Sequence, residues 1–130
     1  MTVSFKNIQK GKKYSRQNLA DLWGYKGYQA LARGVVTPKN DECIILFVTE
    51  EKQSFQEQYK DKLLGNILQW EGPTDHFAED RMINTNVSSD EIHLFYREFH
   101  HSDFIYLGRA VVQNHIKHSN KSSKFKLKII

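Results

Sequence analysis

EIHLFYREF (91–99) and DFIYLGRAVV (103–112) are two runs of strand-forming residues flanking a short polar loop that holds His100, His101 and Ser102. Aromatic and β-branched residues crowd both runs, so they read as a β-hairpin. Outward from this hairpin, KFKLKI (124–129) alternates strictly, placing Phe125, Leu127 and Ile129 on a buried face and Lys124, Lys126 and Lys128 on the other. ECIILFVT (42–49) is a continuous apolar run of strand length, and NILQWEG (66–72) is a strand stopped by Gly72 and Pro73. The lysines of 124–129 suit a phosphate backbone, but they are equally the normal outer face of an edge strand, and the edge reading is favoured.

Helical signals are shorter. Ser15 can cap a helix over 15–23 in which Leu19, Leu22 and Trp23 share a face and which Gly24 ends. GYQALARG (27–34) reads as a second short helix, and Thr74 is the expected cap of a third through DHFAEDRMIN (75–84). SFQEQYKDKL (54–63) is ambiguous between loop and helix. The expectation is an α+β domain, a small partly closed β-barrel of five or six strands with two to four short helices. With 130 residues, one domain spanning 1–130 is the natural count.

Charge is segregated. Residues 1–16 and 113–130 hold ten of the nineteen basic residues and none of the fifteen acidic ones. If the fold brings the ends together, one surface becomes strongly basic, the footprint of a polyanion binder. The single cysteine, Cys43, excludes an internal disulfide, and a cytoplasmic location is expected. No apolar run approaches the ~18 residues of a membrane span.

Catalytic signatures are weak. His93, Glu98, His100, His101 and Asp103 crowd the hairpin, but no HExxH, CxxC or HNH-type spacing accompanies them, so no metal or cofactor is expected. Glu71, Asp75, Glu79 and Asp80 are the carboxylates a metal-dependent nuclease would use, but the acid-then-ExK pattern is missing. Gly11–Lys12 lacks the rest of a phosphate loop. Recognition residues are better supplied. Tyr14, Trp70, Tyr106 and Phe99 are candidates for stacking on a base, whereas Trp23, Phe47, Phe95 and Phe125 read as core. Arg16, Arg81, Arg97 and Arg109 are candidates for gripping phosphates or guanine edges, though Arg81 is equally suited to a structural pair with Asp80, Asp75 or Glu98. His100 and His101 are placed to donate from an exposed loop.

GKKYSRQNL (11–19), LQWEG (68–72), AEDRMIN (78–84) and IHLFYREFHHSDFIYLGR (92–109) together resemble a domain of unknown function at the C-terminus of superfamily 2 helicases that carry a phospholipase-D-type nuclease module. Related copies sit beside HNH nucleases in restriction-like proteins. The similarity spans about residues 5–110. The resemblance implies a reader whose nuclease or helicase lies in another module. Its architecture is similar to the SRA, EVE and PUA pseudo-barrels, which read modified bases, and phosphorothioate-binding domains are a second comparison. It carries over to Tyr14 and Arg16, Trp70, the Asp80–Arg81 pair, and Glu98 to His101 with Tyr106. With Arg97, Lys124 and Lys126 these form the expected surface for modified double-stranded DNA. The chain departs from the helicase proteins in carrying no helicase motif. The alternatives are a compact metal-dependent nuclease and a protein-interaction adaptor or inhibitor in phage defence.

Overall fold

Strand β3 (Cys43–Thr49) is buried at every position because it lies parallel to β6 (Glu91–Arg97) with a packed core on each side. Cys43, Ile45 and Phe47 enter one cluster with Tyr14, Leu19, Trp23, Phe95 and Phe104. Ile44, Leu46 and Val48 enter the other with Leu68, Trp70, Met82, Leu94, Phe125 and Leu127. The computed structural model describes residues 3–39, 41–50, 62–99 and 101–130. The ambiguous stretch at 54–61 and His100 lie outside the described residues.

The remaining strands are β1 (Lys13–Tyr14), β2 (Val35–Val36), β4 (Lys62–Leu64), β5 (Ile67–Glu71), β7 (Phe104–Ile116) and β8 (Lys124–Ile129). They form one sheet in the order β2-β3-β6-β7-β8-β5-β4, with β1 added along β7. The α+β class is as read from the sequence, but among the described residues the sheet has eight strands and is not closed into a barrel. The extra strands β1, β2 and β4 have two or three residues each, too few to show a period.

Helix α1 (Arg16–Leu22) starts as its sequence dictates: the Asn18 amide donates to Ser15 Oγ at 3.0 Å and the Ser15 amide to Asn18 Oδ1 at 3.1 Å. Residues 27–34 form only a 3₁₀ turn, Tyr28–Leu31. Helix α2 (Glu79–Ile83) begins later than expected. His76 and Ala78 adopt left-handed backbone (φ 58° and 62°), so the chain turns twice before the helix and Thr74 is not its cap. Among the described residues no helix is long and apolar enough to cross a membrane.

One residue sets the geometry of β7. Phe104 and Tyr106 face the α1 cluster, while Ala110 and Val112, at the same parity, face the other. The reversal occurs at a bulge: Leu94 opposes Gly108 and Phe95 opposes Tyr106, leaving Leu107 extra. Gly108 has φ 102°, and a Cβ there would lie 2.9 Å from Lys10 Cε. We expect Gly108→Ala to lose roughly 1–3 kcal/mol of stability, the usual cost of forcing a side chain into such backbone. A thermal melt unchanged from wild type would count against the bulge as the hinge of the sheet.

Candidate functional site

Lysines on an edge strand guard it against pairing; lysines on an interior strand stand on an open face. β8 is interior, bonded to β5 on one side and β7 on the other, which overturns the favoured edge reading. Its register builds cross-strand rows: Gln69–Lys126–Asn114 and Glu71–Lys124–Ile116, alternating with Trp70–Phe125–His115. Lys124, Lys126 and Lys128 are exposed while Phe125 and Leu127 are buried. A second bulge, between Val112 and Asn114, turns His115 toward Phe125, with ring centroids 6.2 Å apart. Trp70 lies 5.4 Å from Phe125. Where these rows meet is a hollow of about 170 Å³ lined by Trp70, Phe125, His115, Asn114, Lys124 and Lys126. Trp70 is buried, so it walls this hollow and is not an open stacking platform.

The segments around Lys10–Gly11 and Ile130 meet along β7. The Gly11 amide donates to Tyr106 O at 2.8 Å, Ile130 N to Arg109 O at 3.0 Å, and Lys10 Nζ to Ile130 O at 3.2 Å. The two acid-free basic segments are thereby brought together at this edge.

At the opposite end of β7 stand Arg16 and Arg97. The Arg16 guanidinium lies 4.8 Å over the Phe47 ring and 5.0 Å over Phe104, and its Nε donates to Leu31 O at 2.6 Å. Arg97 lies 4.3 Å over Phe104 and donates to Thr49 Oγ1 at 2.8 Å and Ser102 O at 3.0 Å. Burial, then the neighbouring Arg97, lowers the Arg16 pKa to about 10, and burial lowers that of Arg97. His101, exposed and left-handed at φ 68°, lies in the loop beside them.

Other expected contact residues have structural work. Tyr14 is buried and its hydroxyl accepts from the Gln9 amide at 2.8 Å. Tyr106 is buried too, so neither tyrosine can stack on a base. Arg81 is bidentate to Asp90, at 2.7 Å for each contact, and also donates to Asp41 O. Its partner is none of the three acids expected from sequence, and it is not open to a phosphate. Asp80 is paired with Lys117 at 2.7 Å on the surface. The structure thus divides the expected surface: Trp70, Lys124 and Lys126 share one end of β7, Arg16, Arg97 and His101 the other. Asn114 and His115 were missed because the second bulge, invisible to a period-2 pattern, selects the face they take.

The nuclease carboxylates are scattered among other partners. Asp75 pairs with Arg33 at 3.0 Å, and Glu79 is buried against His76. Among the described residues no three His, Cys, Asp or Glu side chains come together to hold a metal ion.

His93 sits beneath Phe5, whose ring is stacked on it at 3.6 Å. Glu91 Oε1 lies 3.0 Å from His93 Nε2, and Tyr106 Oη lies 2.7 Å from Nδ1. A carboxylate only accepts, so Nε2 carries the proton and the tyrosine hydroxyl donates to Nδ1. Burial pushes the His93 pKa below its ordinary 6.5, outweighing Glu91. The unfolded chain therefore binds the proton first. The stability from neutral His93 is complete above 6.5 and is lost as pH falls through and below that value. Urea unfolding at pH 8 and pH 5 is expected to show this loss in wild type and less of it in His93→Gln; equal losses would refute it.

The chain matches, over residues 8–130, the family described as a domain of unknown function, DUF3427. The chain belongs to the DUF3427 family. The match takes in the lysine strand, beyond the 5–110 region of the sequence resemblance. No curated protein sequence matches this DUF3427 chain. Among solved structures it is similar to the SUVH5 SRA domain in complex with hemimethylated CG DNA, at TM-score 0.65 and 17% identity, covering 100% of this chain and 94% of that one. It is also similar to the DNA recognition domain of the cytosine modification-dependent restriction endonuclease LpnPI, at TM-score 0.55 and 12% identity, covering 93% and 70% of the two chains. The DNA modification-dependent restriction endonuclease AspBHI gives 0.53 and 13%, covering 93% and 72%. The DUF3427 chain therefore has an SRA-like fold.

Proposed function

We propose that this domain is a non-catalytic reader of modified double-stranded DNA in a restriction system. The observation that carries this reading is the exposed lysine row of β8, on the face opposite the buried Trp70–Phe125 row, with Lys124 and Lys126 also lining the Trp70 hollow at that end of the sheet. Lysines in a row neutralise successive phosphates without reading sequence, while an aromatic-walled hollow suits a planar base. The structural neighbours support it: SUVH5 SRA was solved on hemimethylated and hydroxymethylated CG DNA, and LpnPI and AspBHI are modification-dependent nucleases. A hollow lined by Trp70, Phe125 and His115 favours a modified base over a phosphorothioate backbone. Cutting or unwinding then falls to a nuclease or helicase module elsewhere.

The test is an anisotropy panel of short duplexes carrying 5-methylcytosine, 5-hydroxymethylcytosine, phosphorothioate or no modification, at two salt concentrations. Affinity is expected to fall with salt and to favour a modified base. Equal affinity for all duplexes would reduce the domain to a general DNA binder, and no binding would remove the proposal.

A further inference from the structure

Five arginines occur in the chain, and three of them face carboxylates: Arg33 meets Asp75, Arg81 meets Asp90, and Arg109 lies 3.8 Å from Glu91. The other two, Arg16 and Arg97, stand together over the Phe104 ring. Among the described residues neither has a carboxylate partner; their acceptors are Leu31 O, Thr49 Oγ1 and Ser102 O, all neutral. A guanidinium has five N–H donors, so among the described residues most of those on both side chains have no acceptor. Both side chains are half-buried. Two like charges drawn partly out of water without a counter-charge are unfavourable by themselves. The rings of Phe47 and Phe104 offset part of that cost through cation–π contact and fix where the guanidiniums lie.

We propose that Arg16 and Arg97 form a phosphate-binding site at the hairpin end of β7, separate from the lysine face. A tetrahedral oxyanion offers oxygens to both guanidinium forks at once and supplies the missing negative charge. That the site takes its phosphate from a nucleic-acid backbone rests on the DNA-reading proposal; the binding of a phosphoryl group does not. Ser102, whose carbonyl accepts from Arg97, borders the site.

The test uses the wild-type chain, ¹⁵N-labelled, with the arginine Nε–Hε signals followed by NMR during titration with inorganic phosphate and, separately, with a short duplex. Arg16 and Arg97 are expected to shift together and saturably with phosphate, while carboxylate-bound Arg33 and Arg81 stay put. Lys26→Gln/Lys39→Gln, at exposed positions outside both sites, should retain this response. Arg97→Lys, which keeps the charge but loses the fork, should weaken it roughly tenfold or more. No shift, or equal shifts at every arginine, would overturn the site. If the duplex binds and moves both signals, the backbone is the source. If phosphate binds but no duplex does, the site stands and the DNA reading falls. If the duplex binds without moving them while phosphate does, the backbone assignment is overturned and the ligand is a free phosphoryl compound. If the duplex binds and neither ligand moves them, the site falls while the DNA reading stands.

Discussion

Replacing Lys124, Lys126 and Lys128 together by glutamine is expected to weaken duplex binding by several hundredfold at about 0.1 M salt. Each phosphate that a lysine neutralises contributes about 0.9 to the slope of log affinity against log salt, so three contacts contribute roughly 2.7 decades at that concentration. The slope itself should fall by the same ~2.7. All three side chains are exposed on the outer face of β8, so the fold should survive the change. Lys26→Gln/Lys39→Gln, at exposed positions off this face, is the control and should change little. A triple variant with an unaltered salt slope would show that the lysine face does not touch DNA.

Phe95→Ala is expected to carry the largest cost in stability, about 3–5 kcal/mol for emptying a buried aromatic site. Phe95 is fully buried. Its ring packs 5.0 Å from Tyr106, 5.2 Å from Phe47, 6.3 Å from Tyr14 and 6.3 Å from Phe5. It thus joins the N-terminal segment to β3, β6 and β7, and removing it opens a cavity at the centre of the α1 cluster. Phe95 does not belong to the Trp70–Phe125 cluster, so residual binding by the folded fraction should be near wild type. A urea midpoint within experimental error of wild type would contradict the packing described.

The hairpin, the lysine strand and the first helix were legible because each is governed by contacts close in sequence. KFKLKI states its two faces outright, and Ser15 with Asn18 closes its own cap. The apolar run at 42–49 announced burial but not that β3 would pair in parallel with β6. That partner is chosen by tertiary packing, across a connection holding β4, β5 and α2. The bulges at Leu107 and Gln113 were hidden for a related reason: an inserted residue breaks the period on which pattern reading depends. They decide which side chains reach the hollow, turning Tyr106 inward and bringing His115 beside Phe125. Trp70, Lys124 and Lys126 could be placed on their strands from sequence because those strands are regular. Tyr14 and Arg81 were misplaced because an element end exposes a backbone more often than it frees a side chain. The hydroxyl of Tyr14 caps Gln9, and Arg81 fastens α2 to the start of β6 through Asp90. Arg16 and Arg97 were both picked out, but only the fold reveals that they stand over one ring, apart from the lysine face.

The central claim is that modified DNA is read at the Trp70 hollow beside the lysine row, and the two tryptophans of the chain report on it directly. In an NMR titration with a duplex carrying 5-methylcytosine, the indole Nε1–H signal of Trp70 should shift saturably. That of Trp23, buried against α1 and donating to Ser4 O at 2.9 Å, should stay in place. The unmodified duplex should move Trp70 less at equal occupancy. Identical Trp70 responses to both duplexes, or a bound duplex that leaves Trp70 unmoved, would contradict the account.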